Sequence, residues 1–192
     1  MTRSRQETES RQETDIGRAW RTVAASCVAF ALFGLAAGSV HAAKDMAAGS
    51  VSGLPVPRFV SLKSDHVNVR GGPTKDHDVS WVYTRAGLPV EVTAEFENWR
   101  RVRDSEGAEG WVYHSLLTGK RTAVVVLKSR DDLVPLHDSA DTASTVVARL
   151  QMGVVAQVKR CNGLWCRVIG GGFDGWIDQQ RLWGVYPGEK ID

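Results

Sequence analysis

Residues 88–97, LPVEVTAEFE, alternate apolar and polar side chains without a break. Leu88, Val90, Val92, Ala94 and Phe96 fall on one face, and Pro89, Glu91, Thr93, Glu95 and Glu97 on the other. That period of two predicts a β-strand with one buried and one wet face. Val154, Ala156 and Val158 repeat it more weakly, and turn residues recur at Gly71-Gly72-Pro73, 104–107, Asn162-Gly163 and 170–172. Only 143–150 comes near a helical spacing. Short strands broken by frequent turns predict an all-β chain built as small barrels.

The pattern is written twice. Gly87-Leu88-Pro89-Val90 aligns with Gly153-Val154-Val155-Ala156, and Trp99-Arg100-Arg101-Val102 with Trp165-Cys166-Arg167-Val168, both at an offset of 66. Gly110-Trp111-Val112 aligns with Gly175-Trp176-Ile177, and Leu117 with Leu182, at an offset of 65. Such a period is too long for a solenoid and fits a small domain able to fold alone. The expected division is one barrel over residues 58–122 and a degenerate second copy over 123–192. Only 118–122 separate Leu117 from the strand expected at 123–128, so the pair is expected to be rigid. Trp111 and Trp176, flanked by glycine, are expected in the two cores.

Ahead of the repeat, residues 22–40 (TVAASCVAFALFGLAAGSV) are uncharged and apolar, preceded by Arg18 and Arg21 and followed by His41-Ala42. A basic region, an apolar core and a small-residue end predict an export signal over 1–42, cleaved after Ala42. Its retention as a membrane anchor is the alternative, and the run is short for a span. Cys27 precedes most of the apolar core, the wrong order for a lipid-bearing cysteine. Residues 43–57, small and bearing Gly, Ser and Pro, read as a flexible linker. The formal net charge of the 192 residues is +2, and the signal holds five arginines against four carboxylates. The exported chain is then nearly neutral, which gives no electrostatic reason to expect nucleic acid or an anionic membrane as partner. The predicted location is the periplasm, without stable membrane insertion once the signal is removed.

VNVRGGP (67–73), GLPVEV (87–92), NWRRVR (98–103) and GAEGWVYHSLLTG (107–119) together resemble the bacterial SH3-like domain family of exported proteins. LWCRV, GWI and LWGVYPGE in the second half are similar to the degenerate second copy of two-repeat members. The second copy departs from the opening motif, with Leu133-Val134-Pro135-Leu136-His137 in place of Val67-Asn68-Val69-Arg70-Gly71. The resemblance implies tandem SH3-like β-barrels and peptide, cell-wall stem peptide or envelope-protein partners.

Cys161 and Cys166 bracket Asn162-Gly163-Leu164-Trp165 between two strand-like runs. Asn-Gly is a strong hairpin signal, and a four-residue loop sets the cysteines opposite each other, within disulfide reach. A disulfide that staples the hairpin tip is the reading. A redox pair favours Cys-Xaa-Xaa-Cys at a helix start, and zinc needs more ligands than two thiols. Residues 170–175 match GxGxxG but run into a strand rather than a helix, so a hairpin turn is expected there. His66 with 75–78 could ligate a metal, yet reads as a solvated loop; no metal and no cofactor is expected. His114, Ser115 and Asp104 can be assembled as a triad only on paper, since strand neighbours point to opposite faces.

Trp99 and Trp165 have the parity opposite to Val102 and Val168, which face the cores, and so are expected on the outer faces. An outward Trp calls for a partner: a covering loop, the other repeat, or a ligand. Trp81, Tyr83, Trp99 and Arg70 are the candidate ligand groove of the first copy. The functional expectation is a non-enzymatic exported binding or scaffold module of the cell envelope. The alternatives are an accessory subunit docking on a cell-wall hydrolase and, from another class, a small hydrolase or redox enzyme.

Overall fold

The computed structural model describes residues 47–126 and 133–192. The expected export signal, Cys27, the cleavage site after Ala42, the first residues of the linker and the end of the strand expected at 123–128 lie outside the described residues. The elements are β1 (Ala47–Ala48), β2 (Pro55–Val56), β3 (Arg58–Leu62), β4 (Val67–Arg70), β5 (Val79–Tyr83), β6 (Pro89–Phe96), β7 (Trp99–Arg103), β8 (Glu109–Tyr113) and β9 (Leu117–Thr118). They continue as β10 (Thr122–Val125), β11 (Val134–His137), β12 (Val146–Leu150), β13 (Val155–Asn162), β14 (Trp165–Gly170), β15 (Phe173–Asp178), β16 (Leu182–Trp183) and β17 (Lys190–Ile191). The stretch with a near-helical spacing forms β12.

Two antiparallel sheets carry the repeat. The first runs β5-β4-β8-β7-β6-β3-β9, and the second repeats that order as β12-β11-β15-β14-β13-β10-β16, with β17 added to β13. Even the irregularities recur. The register shifts at Val69/Arg70 and again at Leu136/His137, and at Val92/Ala94 and again at Val158/Arg160. Bulges at matching places add local twist, which helps each sheet curl over its own core. Val67, Val69, Val90, Val92, Val102 and Val112 fill the first core and are wholly buried. The second is built around Leu136, Val168, Ile177 and the two cysteines.

Two expectations are corrected. Trp111 and Trp176 are not core residues, because Gly110 and Gly175 take the inward positions beside Val112 and Ile177. A side chain at Gly110 would overlap Val69 and lie 3.1 Å from the Trp81 ring. One at Gly175 would sit 2.6 Å from the His137 carbonyl oxygen and 3.0 Å from Val147, at the position matching Trp81. The glycine of each Gly-Trp pair is thus the packed residue, and the indole stands half-buried on the outer face.

Part of the expected flexible linker is ordered. β1 pairs with β2, and the turn between them is clasped by a single carboxylate on β6. Glu95 accepts the Val51 N–H (3.1 Å), the Ser52 N–H (2.9 Å) and the Ser52 hydroxyl (2.6 Å), while Arg58 donates at 2.9 Å and Arg100 lies at 3.3 Å. Burial alone would raise its pKa, but the hydrogen bonds from Ser52, Arg58 and Val51 outweigh it and hold the group down at about 2. A carboxyl with a lowered folded pKa stabilises above its ordinary range near 4.5 and loses that contribution as pH falls toward 2. The clasp is therefore expected to contribute about 2–3 kcal/mol at pH 7. Glu95→Gln should remove that amount at pH 7, and the gap between variant and wild type should close between pH 4.5 and 2. Urea unfolding across that range checks it; parallel pH profiles for the two proteins would refute it.

Candidate functional site

A concavity lies where the two barrels meet. It has a volume of about 790 Å³ and takes walls from both copies. The first barrel supplies Phe59 of β3, Glu91 of β6 and Arg103 of β7. The second supplies the hairpin tip 163–165, the turn 178–180, β16, and the segment 185–188.

Each wall has a local cause. At the tip, Asn162 Oδ1 accepts the N–H groups of Leu164 (2.9 Å) and Trp165 (2.8 Å), and a disulfide joins Cys161 to Cys166, directly opposite in register. The tip is held from below by that bond, and Leu164 is left 73% exposed on the rim. After β15, Asp178 Oδ1 accepts the Gln180 N–H at 2.9 Å and starts a short 3-10 turn over Gln179–Arg181. The final turn closes on Glu189, whose carboxylate accepts the Tyr186 N–H at 2.8 Å and takes a two-pronged contact from Arg121 at 2.7 and 3.0 Å.

The floor is a polar and aromatic seam between the barrels. Phe59 meets Trp183 edge-on at 5.2 Å and Tyr186 at 4.7 Å. The Tyr186 hydroxyl donates to Glu91 Oε1 at 2.9 Å, while Arg103 Nε donates to Glu91 Oε2 at 3.0 Å and its Nη2 closes the ion pair. The Glu91 hydrogen bond holds the Arg103 guanidinium above its ordinary pKa. Burial first, and then the bond to Glu91, push the Tyr186 phenol well up, so it stays a donor. Outside the cleft the seam continues through Thr122, whose hydroxyl donates to Gly87 O at 2.7 Å, and through Arg85, which donates to Gly153 O at 2.9 Å.

The four residues of the expected groove are not brought onto one surface. Trp81 and Tyr83 lie opposite Val69 and Val67, so their rings turn to the inner side of the sheet and pack against the first core. They meet edge-on at 6.1 Å, and the Tyr83 hydroxyl donates to Asp104 at 3.0 Å. Arg70 pairs with Trp111 on the outer face, and its guanidinium donates to the His77 carbonyl at 2.5 Å. Trp99 has the outward parity expected but is only 7% exposed, with Tyr113 edge-on at 5.4 Å. Trp165 does line the cleft. The cysteine pair forms the disulfide expected, and 170–175 is a hairpin turn between β14 and β15, as expected. His114 and Ser115 sit in a 3-10 turn, and Asp104 is engaged by Tyr83 and by the Glu106 and Ala108 N–H groups. Among the described residues no group of three His, Cys, Asp or Glu side chains is placed to hold a metal.

The cleft residues Phe59, Glu91 and Tyr186 were missed from sequence. Glu91 falls on the polar face of the alternating strand, which reads as solvent-facing until the second barrel is laid over it. The compact turn YPGE was the available signal for Tyr186.

The bacterial SH3 domain family matches residues 63–119 and, again, 130–184, together more than half of the chain. No curated protein matches. Among solved structures the chain is similar to NlpC1 and NlpC2 from Trichomonas vaginalis, each 14% identical, with TM-scores of 0.30 and 0.29. Those matches cover 70% and 66% of this chain and 48% of each of those chains. An NlpC/P60 family protein from Bacillus cereus ATCC 10987 is 11% identical, with a TM-score of 0.28, covering 65% of this chain and 55% of that one. The chain spans about half the length of these structures. With the same strand order and bulges in both copies, and the family pattern matched in each, the chain belongs to the bacterial SH3 domain family and carries the domain twice.

Proposed function

We propose that this protein is an exported, non-catalytic binding module of the cell envelope. It works in the periplasm and grips a peptide chain, whether free, a cell-wall stem peptide or a segment of an envelope protein, in the cleft between its barrels. The observation that carries the reading is the cleft itself: four aromatic rings, a proline and a disulfide-held tip presenting Leu164 to solvent. Apolar clefts with a few placed polar groups suit extended ligands, and aromatic anchors dominate such binding. The signal-like leader over 1–42 and the family membership support the envelope location.

Retention on purified peptidoglycan, beside capture from envelope extract, tests it. Leu164→Ser removes an exposed apolar contact and leaves the tip's backbone bonds in place, so the melting curve should not move. Retention is expected to fall about tenfold. Unchanged capture by this variant would move the site away from the cleft. Recovery of a cell-wall hydrolase, with no retention on bare peptidoglycan, would support an accessory-subunit role instead.

A further inference from the structure

The charges that line the cleft do not cancel. Glu91 and Arg103 neutralise each other, and the remaining charged lining residue is Asp178. Its Oδ1 caps the Gln180 N–H, and no ion pair is formed by its carboxylate among the described residues. Lys190 passes beside Gly163 but does not line the cleft. Asp178 is also the direct cross-strand partner of Trp165, so their side chains leave the same face of the sheet, where the Trp165 ring also meets the buried His137 ring nearly at right angles at 5.4 Å. Side chains paired in this way start about 5 Å apart, a separation that one small cation can bridge.

We propose that the cleft recognises a peptide through a side chain ending in a primary ammonium, that of lysine or another diamino acid. The inference rests on the cleft being the peptide site. The ammonium seats between the Asp178 carboxylate and the Trp165 face, and its alkyl stem lies along the apolar rim formed by Leu164 and Pro187. An ammonium is attracted to both groups at once, by the carboxylate charge and by the electron-rich ring face. A neutral side chain of the same length gains only the apolar contact. A carboxylate side chain meets Asp178 and is repelled.

The test uses three blocked tripeptides, acetylated and amidated so that no terminal charge competes: Ala-Lys-Ala, Ala-norleucine-Ala and Ala-Glu-Ala. Binding to the intact exported protein is followed by the indole N–H resonances in two-dimensional NMR. The lysine peptide is expected to bind at least tenfold tighter than the norleucine peptide at low salt, with the preference shrinking as salt is added. The glutamate peptide should bind most weakly. Asp178→Asn keeps a carbonyl oxygen to cap Gln180, so it should fold; it should lower lysine affinity about tenfold, to the level of norleucine. Equal affinities for lysine and norleucine in the wild type, or an undiminished preference in Asp178→Asn, would overturn the cation assignment while leaving the peptide cleft standing. Failure of all three peptides to move the Trp165 and Trp183 resonances would sink both.

Discussion

Gly184→Ala is expected to destabilise the protein by about 3 kcal/mol or more, through strained backbone and overpacking together. Gly184 has φ +120°, a conformation that residues with a Cβ rarely adopt. A methyl group there would overlap the Thr122 carbonyl oxygen, lie 2.8 Å from Ala123 Cα, and press on Pro89 of the first barrel at 3.1 Å. Two of those three neighbours are backbone atoms of the strand that opens the second barrel, so they cannot swing aside. The Gly184 carbonyl also accepts from Arg121 at 2.9 Å, tying the cleft wall to the salt bridge with Glu189. Gly188→Ala is the control: φ is +77° and nothing stands within 4 Å of the added carbon, so only the backbone preference is lost, about 1 kcal/mol. Urea unfolding followed by tryptophan fluorescence should show a loss near 3 kcal/mol for the first variant and near 1 for the second. Similar losses in both would mean that contact at the seam contributes nothing.

What the sequence displays well is whatever its neighbours in the chain decide. The alternation of 88–97 places Val90 and Val92 in the core, and the Asn-Gly tip sets Cys161 against Cys166; both are short-range matters of pleat and turn. The repeat offset carried the architecture further than either, because two copies of one pattern must find one strand order. The Gly-Trp motif misled for a physical reason. Glycine flanking a large ring suggests room made for that ring, whereas here the room is made for Val69 and Trp81 to approach the strand at Gly110.

The cleft was not legible because each of its parts looks ordinary in its own segment. Phe59 belongs to a short first strand, and Glu91 to the wet face of an amphipathic one. Their burial comes from another copy of the domain, about a hundred residues away, through Trp183 and Tyr186. The ordered stretch 47–56 has the same character. Its composition reads as a linker, and what holds it is Glu95, more than forty residues on. A composition rule has no access to a partner at that distance.

Glu91→Ala is expected to cost about 3–5 kcal/mol, the range for removing one member of a buried ion pair. Glu91 is 1% exposed and joins the barrels: one oxygen holds Arg103 from its own barrel, the other accepts the Tyr186 hydroxyl from the second. Alanine removes both contacts and leaves a void under Phe59 and Tyr186. The Arg103 side chain is 36% exposed, so water recovers part of its solvation and the loss should fall in the lower part of that range. Glu91→Gln keeps the volume and an acceptor for Tyr186, and should lose less. Combining Glu91→Ala with Tyr186→Phe isolates the bond between the barrels, with an expected coupling of about 1 kcal/mol. The pH dependence has a definite sign. Because the Tyr186 phenol is pushed up on folding, its contribution is complete below its ordinary value of 10.0 and is lost as pH rises above that, where the unfolded chain ionises first. Tyr186→Phe should therefore narrow the alkaline loss of stability as well as lowering stability at pH 7. Unfolding titrations at pH 7 and pH 11 decide it: additive losses at pH 7, together with an unchanged alkaline slope, would show that the two barrels do not communicate through Glu91.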